Sequence, residues 1–216
     1  MFGIKSFYSL RYIIDRIRTS RFEKMNPHAP WLNRHVITAL EGLLQKEDFF
    51  VECGSGRSTV WFAQRVQHVL SLEHDATWYK EVARKIEASG LTNIDYCCVD
   101  YTYVGNQTEN EYTHKLRSLE DETVDACLID GGPRSYCALE LIPKLKRNGF
   151  MIIDDVHESL PSESLSPHAI RTPEQIPKVW NCTTSLNWVG VFEATAGWRK
   201  IQLSDGVKDS SIYIKP

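Results

Sequence analysis

The chain has 216 residues, of which 42% are hydrophobic and 25% charged, a composition that excludes a largely disordered protein. Its net charge of −3 gives no global reason to expect a nucleic-acid partner. No apolar run approaches the roughly 20 residues that a transmembrane segment requires. The length favours one domain, with or without a decorating segment.

The six cysteines form no C-x-x-C pair and no finger-like spacing with histidine. Four of them lie within apolar runs, where a free cysteine behaves as a small hydrophobic residue. Basic residues from Lys5 onward interrupt any secretory apolar region. We therefore expect a reduced, cytoplasmic protein.

The first predicted element is a helix over residues 5–19, with an apolar stripe of Phe7, Leu10, Ile14 and Ile17. Residues 1–22 contain five basic side chains and one acidic one, a local charge of +4. A basic amphipathic helix can lie on an anionic membrane. We nevertheless expect the stripe to be buried against the domain or a partner subunit, because most such stripes are. The predicted division is 1–30 for this helix and its linker and 31–216 for the main domain.

A second helix is predicted over Trp31–Gln45, and from there short apolar runs alternate with helical stretches. Strands that are apolar on both faces and separated by helices indicate a parallel sheet covered on both sides. At the end, Trp198–Leu203 and Ser211–Ile214 flank Asp205-Gly206 and predict an antiparallel hairpin. The other predicted strands are Phe49–Cys53, Val69–Leu72, Ile94–Val99, Val124–Ile129 and Phe150–Ile153, with helices at Thr59–Val66, Thr77–Ala88 and Tyr136–Lys146.

Two polar segments, 101–118 and 157–178, do not fit this alternation. Loops longer than about 12–15 residues in compact domains are usually functional lids or disordered. The second segment follows directly on an apolar strand, which is where α/β proteins bind ligands.

A glycine-rich turn, Glu52-Cys53-Gly54-Ser55-Gly56-Arg57-Ser58-Thr59, follows the first of these strands. Such a turn can let the backbone approach a ligand, or can simply make a tight corner. Thr59 replaces the third glycine of the dinucleotide fingerprint, which weakens the case for a bound pyrophosphate. A carboxylate at Glu52 would repel a phosphate but attract an ammonium group.

Glu73 ends the next strand, 21 residues after Glu52. An acid at about this spacing can accept both hydroxyls of a ribose. The predicted ligand therefore has a ribose and a cationic amine and does not require phosphates. S-adenosylmethionine (SAM) meets all three conditions.

Further motifs follow in order along the chain. They are Ser71-Leu72-Glu73-His74-Asp75, Leu128-Ile129-Asp130-Gly131-Gly132, Asn148-Gly149-Phe150 and Ile152-Ile153-Asp154-Asp155. Together with Glu52-x-Gly54-x-Gly56-x-Ser58-Thr59, this set resembles the class I (Rossmann-like) SAM-dependent methyltransferases over roughly residues 30–216. The resemblance implies an α/β, doubly wound, mostly parallel seven-stranded sheet with a C-terminal antiparallel hairpin. It also implies cofactor contacts from Glu52, Gly54, Ser55, Gly56, Ser58, Glu73, His74, Asp100 and Asp130.

A hydroxyl acceptor must lose its proton during methyl transfer, and Asp130, Asp155 and His157 are the predicted catalytic residues. The three carboxylates of Asp130, Asp154 and Asp155 could instead hold Mg²⁺. They look like the metal site of cation-dependent O-methyltransferases, although the turn Gly131-Gly132-Pro133-Arg134 departs from that pattern.

The function predicted from the sequence is methyl transfer from SAM to a small-molecule or glycan acceptor, most simply at oxygen. One alternative is an NAD-dependent oxidoreductase, against which the missing third glycine and Glu52 argue. Another is a non-catalytic SAM-fold protein that its basic N-terminal helix recruits to a membrane or a partner.

Overall fold

The computed structural model describes residues 10–100, 110–166, 169–176 and 184–216. Its strands are β1 Phe49–Cys53, β2 His68–Glu73, β3 Ile94–Cys98, β4 Val124–Ile129, β5 Leu145–Asp154, β6 Arg199–Ser204 and β7 Asp209–Ile214. Its α-helices are α1 Leu10–Met25, α2 Arg34–Leu43, α3 Arg57–Ala63, α4 Ala76–Ser89, α5 Glu111–Arg117, α6 Arg134–Lys144 and α7 Thr184–Ala194.

The seven strands form one sheet in the order β3-β2-β1-β4-β5-β7-β6. The first five strands pair in parallel, whereas β7 is antiparallel to both β5 and β6. The chain builds one half of the sheet outward from β1 and the other half outward from β4. The predicted doubly wound α/β fold with its terminal hairpin is therefore confirmed.

The core lies on both faces of the sheet, as the apolar strands predict. Alternate residues of β1 divide between the two sides, with Phe50 in one cluster and Val51 in the other. Helices α5, α6 and α7 contribute buried side chains to the Val51 side. Helices α2 and α3 contribute to the Phe50 side.

Two helices were not predicted. The polar segment 101–118 contains α5, which begins at an Asn110 cap whose side chain accepts a hydrogen bond from Thr113 N. Residues 101–109 of that segment lie outside the described part of the chain. Helix α7 follows the second polar segment, which overlaps the 3₁₀ turn Val156–Glu158 and contains the 3₁₀ turn Pro173–Gln175.

Helix α1 ends at Met25, six residues later than predicted. Its apolar stripe is exposed, so the expectation that the stripe is buried against the domain is wrong for the described residues Leu10, Ile14 and Ile17. Phe7 lies outside the described residues. Among the residues described, no helix combines the length and the hydropathy needed to cross a bilayer.

Candidate functional site

The predicted site residues lie along one edge of the sheet, where the parallel strands β1, β2, β4 and β5 end. Strands β2 and β3 are added on one side of β1, and the strands that follow β4 are added on the opposite side, so the strand order reverses between β1 and β4. In open α/β sheets, ligands bind in the crevice outside such a switch point. The glycine-rich turn after β1 and the Asp130 turn after β4 meet there.

These two turns touch through their backbones. Gly54 has a φ of +93°, and a Cβ added to it would lie 2.5 Å from the backbone nitrogen of Gly131. The backbone nitrogens of Asp130 and Gly131 both donate to the carbonyl oxygen of Cys53, at 2.9 and 2.7 Å. Glycine is thus required at position 54 by the neighbouring turn. At Gly56, an added Cβ would meet only an ordinary contact with Ser58 Oγ at 3.6 Å.

Glu73 at the end of β2 holds the glycine-rich turn. Its Oε2 accepts hydrogen bonds from the backbone nitrogen and hydroxyl of Ser55, at 3.1 and 2.9 Å. Its Oε1 accepts from the backbone nitrogens of His74 and Asp75, at 2.8 and 2.9 Å. Four donors therefore converge on one carboxylate, which is buried at the end of β2. Such a carboxylate can accept hydroxyl groups of a ligand where these replace one of its present donors.

Glu52 lies beneath the turn and has no exposed surface. Its Oε2 accepts hydrogen bonds from the hydroxyls of Thr59 and Ser71, both at 2.6 Å. Burial raises the pKa of Glu52 to about 7, against hydrogen bonds from Ser58, Ser71 and Thr59 that lower it. In this arrangement Glu52 joins α3 to β2 below the turn and offers no exposed atom for direct contact with a ligand.

Two further predicted cofactor residues lie beside Glu73 and at the end of β3. The Nδ1 atom of His74 is 3.2 Å from Glu73 Oε1. The backbone nitrogen of Asp100 donates to Glu111 Oε2 at 2.6 Å, which connects the end of β3 to α5. Contact of Asp100 with an adenine stays a prediction.

The carboxylates that follow β4 and β5 surround Arg134. Arg134 Nη2 is 3.0 Å from Asp130 Oδ1, and Arg134 Nη1 is 3.8 Å from Asp155 Oδ2. Nη1 also donates to the backbone oxygen of Asp154 at 3.1 Å. The Asp154 side chain is buried and accepts a short hydrogen bond from the Ser210 hydroxyl.

Two of these carboxyl groups have raised pKa values. Burial, together with the charges of Asp130 and Asp155, raises the pKa of Asp154 to about 8. Burial raises the pKa of Asp130 to about 6, although the Arg134 guanidinium opposes the change. Asp130 can thus exchange a proton near neutral pH.

The Mg²⁺ site predicted from Asp130, Asp154 and Asp155 is not supported. Among the described residues, no group of three or more His, Cys, Asp or Glu side chains is arranged to hold a metal ion. The physical reason is Arg134, whose guanidinium already supplies positive charge between Asp130 and Asp155. The three acids could be read from the sequence, but the direction of the Arg134 side chain after its Gly-Gly-Pro turn could not.

His157 follows β5 in a 3₁₀ turn, and its side chain is directed to β7. Its Nδ1 lies 3.5 Å from Asp209 Oδ2, and its side chain is only 13% exposed. The hydroxyl of Ser164 donates to the same Asp209 oxygen at 2.7 Å. This geometry suits a residue that holds the segment after β5 in place.

Sequence reasoning missed Tyr96 and Lys208 at this edge. The hydroxyls of Tyr96 and Ser55 are 2.8 Å apart. The charge of Lys208, on the β6–β7 turn, lowers the pKa of Asp130. Tyr96 could have been found from the sequence, because it lies on the predicted strand Ile94–Val99, which is next to the strand that ends at Glu73. For Lys208, 78 residues from Asp130, the sequence contained no signal.

The raised pKa of Asp154 predicts that its ionisation opposes folding. The folded protein holds this proton more tightly than the unfolded chain, so the contribution to stability is fully present below about pH 4 and is lost as the pH rises through about 8. One such group lowers the free energy of unfolding by at most about 1.4 kcal/mol per pH unit in that range. Asp154→Asn, which retains an oxygen for Ser210, should reduce this decline in urea unfolding between pH 5 and about 8. An unchanged decline would contradict the assignment.

The sheet order is that of the Rossmann-like fold of class I SAM-dependent methyltransferases. Residues 51–156 match a family model described as "Methyltransferase domain", so this segment belongs to that family. The family match favours methyl transfer over the oxidoreductase alternative. Comparison with curated proteins returned no match.

Several solved structures share the fold. A candidate caffeoyl-CoA O-methyltransferase from Staphylococcus aureus has a TM-score of 0.56 at 16% identity, covering 95% of this chain and 98% of its own. An rRNA methylase from Streptococcus thermophilus has a TM-score of 0.54 at 11% identity, with coverages of 86% and 99%. A candidate methyltransferase from Streptococcus mutans, in complex with SAH, has a TM-score of 0.54 at 8% identity, with the same coverages. At these identities the likeness is one of fold, and the absence of a nucleic-acid partner stays a prediction.

Proposed function

We propose that this chain transfers the methyl group of SAM to an oxygen of a small-molecule or glycan acceptor at the edge between β1 and β4. One observation supports this proposal above the others: Glu73 and Asp130 are linked through the two turns that lie between them. Glu73 accepts a hydrogen bond from Ser55, and the turn that carries Ser55 touches the Asp130 turn at Gly54 and Gly131. A ribose-binding carboxylate and a titratable acid are thereby held at two ends of one crevice.

The cofactor part of the proposal rests on Glu73. A ribose hydroxyl can replace the Ser55 hydroxyl as the donor to Oε2, because both are neutral O–H groups. Glu52 serves this part indirectly, by fixing the start of α3 against β2. When bound, SAM supplies an activated methyl group on a sulfonium.

The catalytic part rests on Asp130. Its carboxylate would accept the proton of the acceptor hydroxyl while the acceptor oxygen forms its bond to the methyl carbon and the carbon–sulfur bond breaks, leaving SAH. Arg134 orients the Asp130 carboxylate, and the partly exposed Asp155 lies beside it. For His157 we propose a positioning role, because its imidazole is directed to Asp209.

The test separates binding from transfer. Calorimetric titration should show SAM binding to the wild type, and Asp130→Asn should keep that affinity within about tenfold. Transfer of a labelled methyl group to a panel of hydroxylated aromatic compounds and glycans should fall in Asp130→Asn by about a hundredfold or more, the usual size of a general-base contribution. Absence of SAM binding would contradict the whole proposal. SAM binding without transfer to any member of the panel would favour the non-catalytic alternative.

We also propose a cytoplasmic location and a catalytic unit spanning residues 31–216. The free state of Cys53, Cys97, Cys98, Cys127 and Cys137 supports a reducing compartment, whereas Cys182 lies outside the described residues. Loss of SAM binding on removing residues 1–30 would contradict this domain division.

A further inference from the structure

Helix α1 packs on the domain mainly through polar contacts. The buried Thr19 donates from Oγ1 to Asp205 Oδ2 at 3.2 Å, on the β6–β7 turn. Lys208 Nζ, on the same turn, contacts Glu23 Oε1 at 2.9 Å. Phe22 adds a partly buried apolar contact. A helix that docks in this way leaves its opposite face free.

That opposite face is apolar and exposed. Leu10, Ile13, Ile14 and Ile17 are 74%, 44%, 40% and 49% exposed, and their i, i+3, i+4, i+7 spacing aligns them in one stripe. Five of the eight large apolar side chains that are exposed in the described residues lie on this helix, the fifth being Met25. Soluble monomers rarely cluster exposed apolar side chains in this way unless something covers them.

Basic side chains border the stripe. Helix α1 has five basic residues and two acidic ones, a net charge of +3, although the whole chain carries −3. One acid, Asp15, pairs with Arg11 and Arg18 at 3.2 and 3.3 Å. By helical geometry Arg16 flanks the other side of the stripe and Arg21 continues along it. Neither Arg16 nor Arg21 has an ion pair within the described part of the chain.

We propose that α1 is an in-plane anchor that lays its apolar stripe into the surface of an anionic lipid bilayer. Aliphatic side chains bordered by arginines are the pattern of helices that lie at the membrane interface. The arginines would contact anionic headgroups. These headgroups would balance the positive charge of α1 that the acidic side chains among the described residues leave unpaired.

A second copy of the chain fits this surface less well. Stacking two identical stripes would bring like charges together. Four partly exposed aliphatic side chains also fall well short of the roughly 800 Å² per partner that a stable interface buries. The proposal is independent of the methyl-transfer reaction, since neither the apolar stripe nor the arginines beside it belong to the crevice.

Sedimentation of the full chain with lipid vesicles tests the proposal. The chain should bind phosphatidylcholine vesicles that contain phosphatidylserine, bind vesicles without it much more weakly, and dissociate as salt is raised. Ile17→Asp should weaken binding at least about tenfold, because it removes an aliphatic side chain that would be buried in the bilayer and adds a charge that anionic lipids repel. Arg16→Gln should weaken binding about fivefold.

Leu165→Asp provides the matched control, because Leu165 is also exposed, at 64%, but lies outside α1. It should bind vesicles as the wild type does, and Ile17→Asp should keep the wild-type melting temperature. Equal binding to both kinds of vesicle, or no binding to either, would overturn the proposal. So would a dimer in analytical ultracentrifugation that Ile17→Asp dissociates, since a second copy would then cover the stripe.

Discussion

Replacing Glu73 with alanine is expected to lower the affinity for SAM by about a hundredfold or more. The carboxylate is the acceptor on which the ribose contact depends, and hydrogen bonds to a charged acceptor contribute about 1.5–3 kcal/mol each. Two such bonds lost to the ribose are enough for a hundredfold change. Calorimetric titration of SAM into wild type and variant measures it.

The variant also loses the contacts that order the turn, so stability must be followed separately. Glu73→Ala leaves the backbone nitrogens of His74 and Asp75 without their acceptor, and we expect a loss of about 1–3 kcal/mol in the free energy of unfolding. Titration well below the melting temperature keeps the two effects apart. Glu120→Ala, at an exposed acid away from the edge, should leave the affinity unchanged. A folded Glu73→Ala protein that binds SAM like the wild type would refute the ribose-binding role.

Gly54→Ala is expected to cause the largest loss of stability, about 3 kcal/mol or more. The φ of +93° costs any other residue about 1–3 kcal/mol, and the new Cβ would overlap the backbone of Gly131, which no side-chain rotation can relieve. Urea unfolding at neutral pH measures the change. The SAM affinity of any remaining folded protein should fall too, since the turn carries Ser55.

Gly42→Ala is the matched control for this substitution. Gly42 lies inside α2 and an added Cβ there has no neighbour within 4 Å. Alanine should therefore raise the free energy of unfolding by about 0.5–1 kcal/mol through its better helix propensity. If Gly54→Ala were to unfold within about 1 kcal/mol of the wild type, the backbone contact between the two turns would not be as close as described.

The central strands were the most predictable part of the fold, because they are buried on both faces and are bounded by polar residues. The bounds of Phe49–Cys53 and Val124–Ile129 agree with the prediction. Helix α5 escaped prediction because seven residues give too few turns to show a period, and its buried Tyr112 is fixed by a hydrogen bond to the Leu72 carbonyl rather than by a sequence pattern. Helix α7 escaped because apolar side chains lie all around it.

For the site, the sequence indicated which residues end the strands but not how they interact. The recognition of the methyltransferase class is confirmed by the family match over residues 51–156. Two arrangements depend on tertiary geometry alone: the burial of Glu52 and the position of Arg134 among the acids. In the same way, the spacing of Leu10, Ile14 and Ile17 fixed a stripe without showing which way it faces.

Because the backbones of Gly54 and Gly131 are in contact, a side chain at either position would displace the opposite turn. We expect both positions to resist substitution in any descendant of this sequence that keeps the fold. Changes of acceptor preference would then have to arise in parts of the crevice wall that this contact leaves unconstrained. The segment after β5, which Ser164 and Asp209 hold to β7, takes no part in this contact, and we expect such changes there.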